Sequence, residues 1–306
     1  PAHMILFNAG ADNLLTAIKE KPFKLEKDIQ RLFELNLKQI MGLELVKSEF
    51  SVKNKRIDTL AFDPQSKAFA IIEYKRDRNA SVFDQGVTYL NLMLQNKEVF
   101  IIEYNESLNR TLKRTAVDWS QTRVIFVSSD FTENQIEATN FKDFSIELLQ
   151  VKRYENRTVS ITPIQKSKNA ESIKQLTGKN TAAIKTITAV IKTYTEEDLL
   201  KGKPDTVTEL YQQFKAAIHN LTDGIEVQPQ KFYIAFKKDG HNITDIAIQT
   251  AGLKLIINIK RGALDDPKHL ARDISGIGHL GNGDYGIKVS NNDHLEYIMS
   301  LIKQAL

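Results

Sequence analysis

The chain has no cysteine, so disulfides, thiolate zinc sites and cysteine nucleophiles are excluded outright. No apolar run approaches the ~18 residues that a membrane span needs. The opening Met4-Ile5-Leu6-Phe7-Asn8-Ala9-Gly10 lacks the basic segment of a signal peptide. Pro1-Ala2-His3 ahead of Met4 is read as a cloning scar and left out of the fold. Charge of one sign is also scarce: the net charge is +4 and the pI about 8.9, which permits phosphate contacts without demanding them. A cytoplasmic protein with no membrane partner is expected. What is present suffices for about two domains with real cores: 306 residues, 42% hydrophobic and 26% charged.

The most informative stretch is Arg56-Ile57-Asp58, a hairpin-length gap, and then Ala70-Ile71-Ile72-Glu73-Tyr74-Lys75-Arg76. If the second run is a strand, Glu73 and Lys75 leave the same face. An acid and an amine projecting from a buried strand are costly unless something uses or satisfies them. Asp58 lies far enough upstream for one strand, a turn at Asp63-Pro64-Gln65-Ser66 and the start of the next strand. That spacing sets Asp58 beside Glu73 on an adjacent antiparallel strand, with Lys75 one step along. Two carboxylates and an amine so arranged suit a divalent metal, a water and a phosphodiester. Alternatively, a Glu-x-Lys pair is common on a solvated strand face as an exposed ion pair. The apolar residues Phe69, Ala70, Ile71 and Ile72 weigh against that alternative, because they mark a strand buried on both faces.

A helix is expected over 24–41 from the stripe Leu25, Ile29, Leu32, Phe33, Asn36 and Ile40, between Pro22 and Gly42. Strands are expected at Leu43–Val52, Arg56–Asp63 and Ala68–Lys75. Ser81-Val82-Phe83-Asp84 should open a second helix running to about Gln95. It carries Gln85 and Tyr89 as an i, i+4 pair on one face. Gly86 costs about 1 kcal/mol against alanine inside a helix, which points to a close backbone approach. Val99–Tyr104 and Arg123–Ser128 read as β-branched strands. Thr132 caps a short helix, and Phe144–Tyr154 with Thr158–Ile164 close the first half.

Asp58, Glu73-Tyr74-Lys75 and Gln85-x-x-x-Tyr89 together resemble the PD-(D/E)XK nuclease superfamily, nearest its RecB-like and NucS-like members. The resemblance spans about residues 22–165 and departs from the motif at Ile57, where proline is usual. It implies an α/β (α+β) class with a restriction-endonuclease-like mixed central sheet flanked by helices. It further implies that Asp58, Glu73 and the Tyr74 carbonyl bind Mg²⁺ or Mn²⁺, while Lys75 acts on the attacking water. From the leading helix it implies an acid near the metal at Glu26, with Glu34 as fallback. Gln85 and Tyr89 would hold the DNA backbone or the lysine. Arg56, Arg76 and Arg78 are candidate phosphate contacts, although basic residues flanking a strand are often simply solvated.

A nuclease-like domain is therefore expected at 4–164, a polar, basic linker at 165–182 and a smaller α+β accessory domain at 183–306. That last part reads as helices at 183–193 and 206–221, strands at Lys231–Lys237, Ile243–Gln249 and Leu253–Ile259, a Gly-rich stretch at 276–283, a strand at Tyr285–Val289 and a helix at 292–305. Asp245 with Asn258-Ile259-Lys260-Arg261 echoes the first hairpin and would be a decayed copy, unless the composition has simply converged. The pattern Tyr233-Ile234-Ala235-Phe236 with Gly278-His279-x-Gly281-x-Gly283-Asp284 resembles an uncharacterised bacterial domain. His269 and His279 without a matched acid suit turn residues better than ligands. The expected function is a metal-dependent endo- or exonuclease acting on DNA, in repair, restriction or phage defence, with a possible homodimer. An inactive nuclease-fold binding module is the alternative, and an enzyme acting on RNA such as tRNA is a third.

Overall fold

The apolar run Ala68–Lys75 is buried on both faces along almost its whole length, and a sheet forms around it in the first of two compact units, Pro1–Thr193 and Tyr194–Leu306. The computed structural model describes residues 5–76, 81–167, 169–175, 181–277 and 281–306. In chain order the first unit holds β1 (Leu6–Ala9), β2 (Leu15–Ile18), α1 (Glu26–Met41), β3 (Glu44–Val52), β4 (Lys55–Asp63), β5 (Ala68–Lys75), α2 (Val82–Gln95), α3 (Lys97–Leu108), β6 (Arg123–Ser128), α4 (Glu133–Thr139), β7 (Ile146–Arg153), β8 (Val159–Ile164) and α5 (Thr181–Val190).

The sheet order is β3-β4-β5-β6-β7-β8. β3, β4 and β5 pair antiparallel, β5, β6 and β7 pair parallel, and β8 closes antiparallel. This is the expected mixed central sheet flanked by helices. On one face Ile29, Phe33 and Leu37 of α1 pack with Ala70, Ile72, Tyr74, Ile125 and Val127. Of the expected α1 stripe, Leu25 and Asn36 are exposed instead. On the other face α2, α3 and α5 cover Leu60, Phe62, Phe69, Ile71, Val124 and Phe126. The β4–β5 turn forms where expected, with Asp63 Oδ1 accepting from Gln65 N and Ser66 N at 2.9 and 3.1 Å. Ser81 and Thr132 both cap their helices.

Two expectations fail, and one element was not foreseen. Val99–Tyr104 is helix, not strand, because Phe100, Ile101 and Tyr104 form a buried helical stripe while Val99 and Ile102 face water. Packing of that stripe overrides the β-branched composition. The β1–β2 hairpin was not expected; its Gly10–Leu14 turn is closed by Gly10 N donating to Leu14 O at 2.9 Å. The units divide between Thr193 and Tyr194, not across 165–182. In that segment, Ser167 N donates to Asn140 and Ile173 N to Asp143, both at 2.8 Å. Ile173, Ile184, Ile187 and Ile191 lie in the first unit's core.

The second unit holds α6 (Glu196–Leu200), α7 (Asp205–His219), β9 (Ile225–Pro229), β10 (Ile234–Lys238), β11 (His241–Ile248), β12 (Leu253–Ile257), β13 (Arg272–Asp273), β14 (Tyr285–Val289) and α8 (Leu295–Lys303). Its sheet, β13-β14-β12-β11-β10-β9, is antiparallel throughout. Residues of α7 and α8 pack on one face of it. Among the described residues no helix is long and apolar enough to cross a membrane.

Candidate active site

The β4–β5 ladder ends at Thr59–Ile72, and beyond it side-chain carboxylates replace backbone carbonyls as acceptors. Asp58 N donates to Glu73 Oε1 at 3.2 Å, and Tyr74 N donates to Asp58 Oδ2 at 3.1 Å. The strands therefore fork with the two acids between them. The β3 side yields at the same point: Ser48 pairs with Thr59 and Phe50 with Ile57, passing over Glu49 and Asp58. Glu49 takes a left-handed φ of 57°, a conformation unusual for a residue other than glycine. Its carboxylate pairs with Lys27 and with the Arg56 guanidinium.

Lys75 Nζ lies 3.3 Å from Glu73 Oε2, with side-chain exposures of 18% and 4% respectively. Gln85 Nε2 donates to Glu73 Oε2 at 2.9 Å and to Tyr89 Oη at 3.1 Å. Tyr89 Oη donates to Arg56 O at 3.1 Å. The Gln-x-x-x-Tyr pair thus holds Glu73 and the β4 backbone, not the lysine. Gly86 lets α2 approach closely: a Cβ there would stand 2.0 Å from Ile146 Cδ1. Glu26 Oε1 accepts from Arg76 N at 2.8 Å at the exit of β5, and the Arg76 guanidinium donates to Lys24 O at 2.9 Å. Glu34 meets the residue after Asp58, accepting from Thr59 Oγ1 at 2.6 Å. Arg78 lies outside the described residues.

Burial raises the carboxyl pKa of both Asp58 and Glu73; for Glu73 the nearby Asp58 charge adds to it, and Lys75 opposes the shift in each. Burial thus penalises the ionised form of both acids, and Lys75 offsets that only in part. Among the described residues no three histidine, aspartate or glutamate side chains converge so as to hold a metal ion. The donor set nevertheless fits a hard divalent cation that keeps several waters: two neighbouring oxygen donors, each fixed by a backbone N–H.

Sequence reasoning did not single out Gln30, Thr59 or Glu49. Gln30 offered one signal, a polar residue adjoining the apolar stripe of α1. In the second unit the echo of the hairpin fails on register. Asn258 N donates to Ile243 O at 3.0 Å, whereas Asp245 pairs with Ile256, so Asp245 and Asn258 are not opposed. His269 is an exposed turn residue with φ 53°. His279 lies outside the described residues.

Residues 196–306 match the model of a domain of unknown function, DUF5655. An uncharacterized protein of Haemophilus influenzae is 54% identical over 292 residues, covering 95% of this chain and 96% of its own. Among solved structures, a repair endonuclease from Pyrococcus abyssi is similar at a TM-score of 0.26 and 16% identity, over 43% of this chain and 50% of its own. This chain thus spans only half of that protein. An EndoMS–dsDNA complex gives a TM-score of 0.25 at 12% identity, over 48% and 64%. Pyrococcus furiosus SfsA in complex with Ca²⁺ gives 0.26 at 11%, over 49% and 75%. Likenesses this slight leave the chemistry to be argued from the fork itself.

Proposed function

The chain belongs to the same family as the uncharacterized Haemophilus influenzae protein, and we propose that it is a metal-dependent nuclease hydrolysing phosphodiester bonds in DNA. The observation that carries this reading is the fork, where the Asp58 and Glu73 carboxylates lie between two parting strands and Lys75 lies against Glu73. In this reading Asp58 and Glu73, with the Tyr74 carbonyl, hold Mg²⁺ or Mn²⁺. Such a cation, when bound, polarises the scissile phosphate and lowers the pKa of a bound water.

The protein's own groups do the rest. The Lys75 ammonium orients the attacking water and offsets charge developing on the phosphoryl oxygens. Gln85 fixes the outer oxygen of Glu73, and Tyr89 fixes the strand that carries Asp58. Glu26 steadies the exit of β5 through Arg76 N. The Arg56 and Arg76 guanidiniums suit phosphate oxygens geometrically, once drawn from Glu49 and the Lys24 carbonyl. The second unit serves as an accessory domain, and a homodimer is compatible with this scheme.

Calorimetric titration with Mn²⁺ tests the reading. The wild type should bind and an Asp58→Ala/Glu73→Ala variant should not; equal heats for both would remove its basis. A labelled panel of single-stranded, double-stranded and branched DNA, with RNA beside it, then identifies the substrate. Cleavage of RNA alone would overturn the assignment to DNA.

A further inference from the structure

We infer that Gln30 on α1 is a positioning residue: its amide holds the β4 backbone at Asp58 and thereby sets the affinity of the fork for a divalent cation. The inference rests on the metal-dependent reading above and adds to it a residue outside the proposed ligand set.

A strand carbonyl needs a donor, and at Asp58 the ladders lapse on both sides. Gln30 Nε2 supplies that donor at 2.9 Å from Asp58 O. The same nitrogen lies 2.9 Å from Glu34 Oε1 and 3.2 Å from Ser48 Oγ. Carbonyl and carboxylate can only accept, so the amide nitrogen, not its oxygen, must face them. Gln30 is 4% exposed and adjoins Ile29 and Phe33. A polar amide so deeply buried is costly unless its hydrogen bonds are used.

The hold is two-sided. Tyr89 on α2 binds Arg56 O while Gln30 on α1 binds Asp58 O, so residues 56–58 are gripped from both faces of the sheet. The brace also reaches the other arm of the fork. Thr59 Oγ1 lies 2.6 Å from Glu34 Oε1 and 3.3 Å from Tyr74 Oη. The threonine has a single hydroxyl proton, and the short contact assigns it to Glu34; Tyr74 therefore donates to Thr59. Gln30, Glu34, Thr59 and Tyr74 form one hydrogen-bonded chain tying both acid-bearing strands to α1. Freed from it, Asp58 would lose its fixed setting against Tyr74 N.

The test uses the full chain and two readouts: Mn²⁺ calorimetry, and hydrogen exchange at Tyr74 N–H, which Asp58 Oδ2 accepts. Gln30→Met keeps the length and apolar fit but removes the donor. It should weaken Mn²⁺ binding about tenfold or more, as loss of a residue supporting a ligand does, and should speed Tyr74 exchange while leaving a cooperative melt. If Gln30→Met does not fold, Gln30→Asn, which withdraws the donor by one methylene, should give the same two changes. Leu37→Ala, a core change on the same helix, should lower stability without altering the affinity. Binding by Gln30→Met within twofold of wild type, with Tyr74 exchange unchanged, would overturn the inference and leave the metal reading intact. If the wild type binds no Mn²⁺, the metal reading fails, and with it the affinity part of this inference. Tyr74 exchange alone then decides the positioning part, faster exchange supporting it and unchanged exchange overturning it.

Discussion

Asp58 and Glu73 are expensive residues to keep where they are, and the cost has a definite pH dependence. Both carboxyl groups titrate above their ordinary values of 3.8 and 4.5, chiefly through burial. A raised folded pKa contributes stability that is complete below the ordinary value and is lost as pH rises through the folded one. At neutral pH the fork therefore bears the cost of ionised carboxylates held out of water, to which the Asp58 charge adds at Glu73. Asp58→Asn keeps an oxygen for Tyr74 N–H and removes one charge, so with chelator present at pH 7 it should raise the melting temperature. A clear fall would contradict this account of the fork. Asp245 in the second unit follows the same sign: burial pushes it to about 7 against Asn242 hydrogen bonds that lower it. Asp245→Asn should flatten the pH dependence of stability between about 4 and 7, measured by urea unfolding across that range; an unchanged slope would count against it. At this scale the acids, Lys75, Gln85 and Tyr89 were legible, because strand and helix periods fix which residues share a face. Gln30, Thr59 and Glu49 were not, because their importance comes from a lapse in strand pairing that periodicity does not encode.

At the scale of elements, the sequence was clearest where a turn or cap residue marked an end. The Asp63 turn, the Ser81 and Thr132 caps and Gly42, which ends α1 at φ 68°, are such marks. It misled where composition stood in for period. Val99–Tyr104 looks β-branched, but polar residues at Glu103 and Asn105 and exposure of Val99 and Ile102 follow a helix. The echo at Asp245 was composition without register. Gly86 is the sharpest test of helix packing. Helix propensity favours alanine there by about 1 kcal/mol, but its Cβ would meet Ile146 Cδ1 at 2.0 Å and Cγ1 at 2.9 Å. Overpacking should dominate, so Gly86→Ala should lose roughly 1–3 kcal/mol. Ile146→Val, which deletes the nearer atom, should recover part of the loss in the double variant. A stabilised Gly86→Ala protein in chemical denaturation would show that the contact between α2 and β7 is looser than described.

For the whole molecule, polar composition at 165–182 suggested a linker, yet buried Ile173 within it and Ile184, Ile187 and Ile191 after it tie that region into the first unit. Sparse apolar residues are still enough to anchor a segment when each one is buried. A fragment of residues 5–193 should therefore melt cooperatively, whereas one ending at Gln165 strips Ile173, Ile184, Ile187 and Ile191 from the core and should not. Equal melts by calorimetry would return the boundary to the linker. The fork, its lysine and both bracing helices all lie within that first unit, so the proposed chemistry should stay with it. The most direct test of that chemistry is cleavage of labelled DNA in Mn²⁺ by the full chain and by Lys75→Ala, each first shown to bind the metal. The account predicts strand cleavage by the wild type and a loss of at least about a hundredfold in the variant, in keeping with removal of one group that stabilises transition-state charge. Equal rates, or no cleavage of any nucleic acid by the metal-bound wild type, would contradict it.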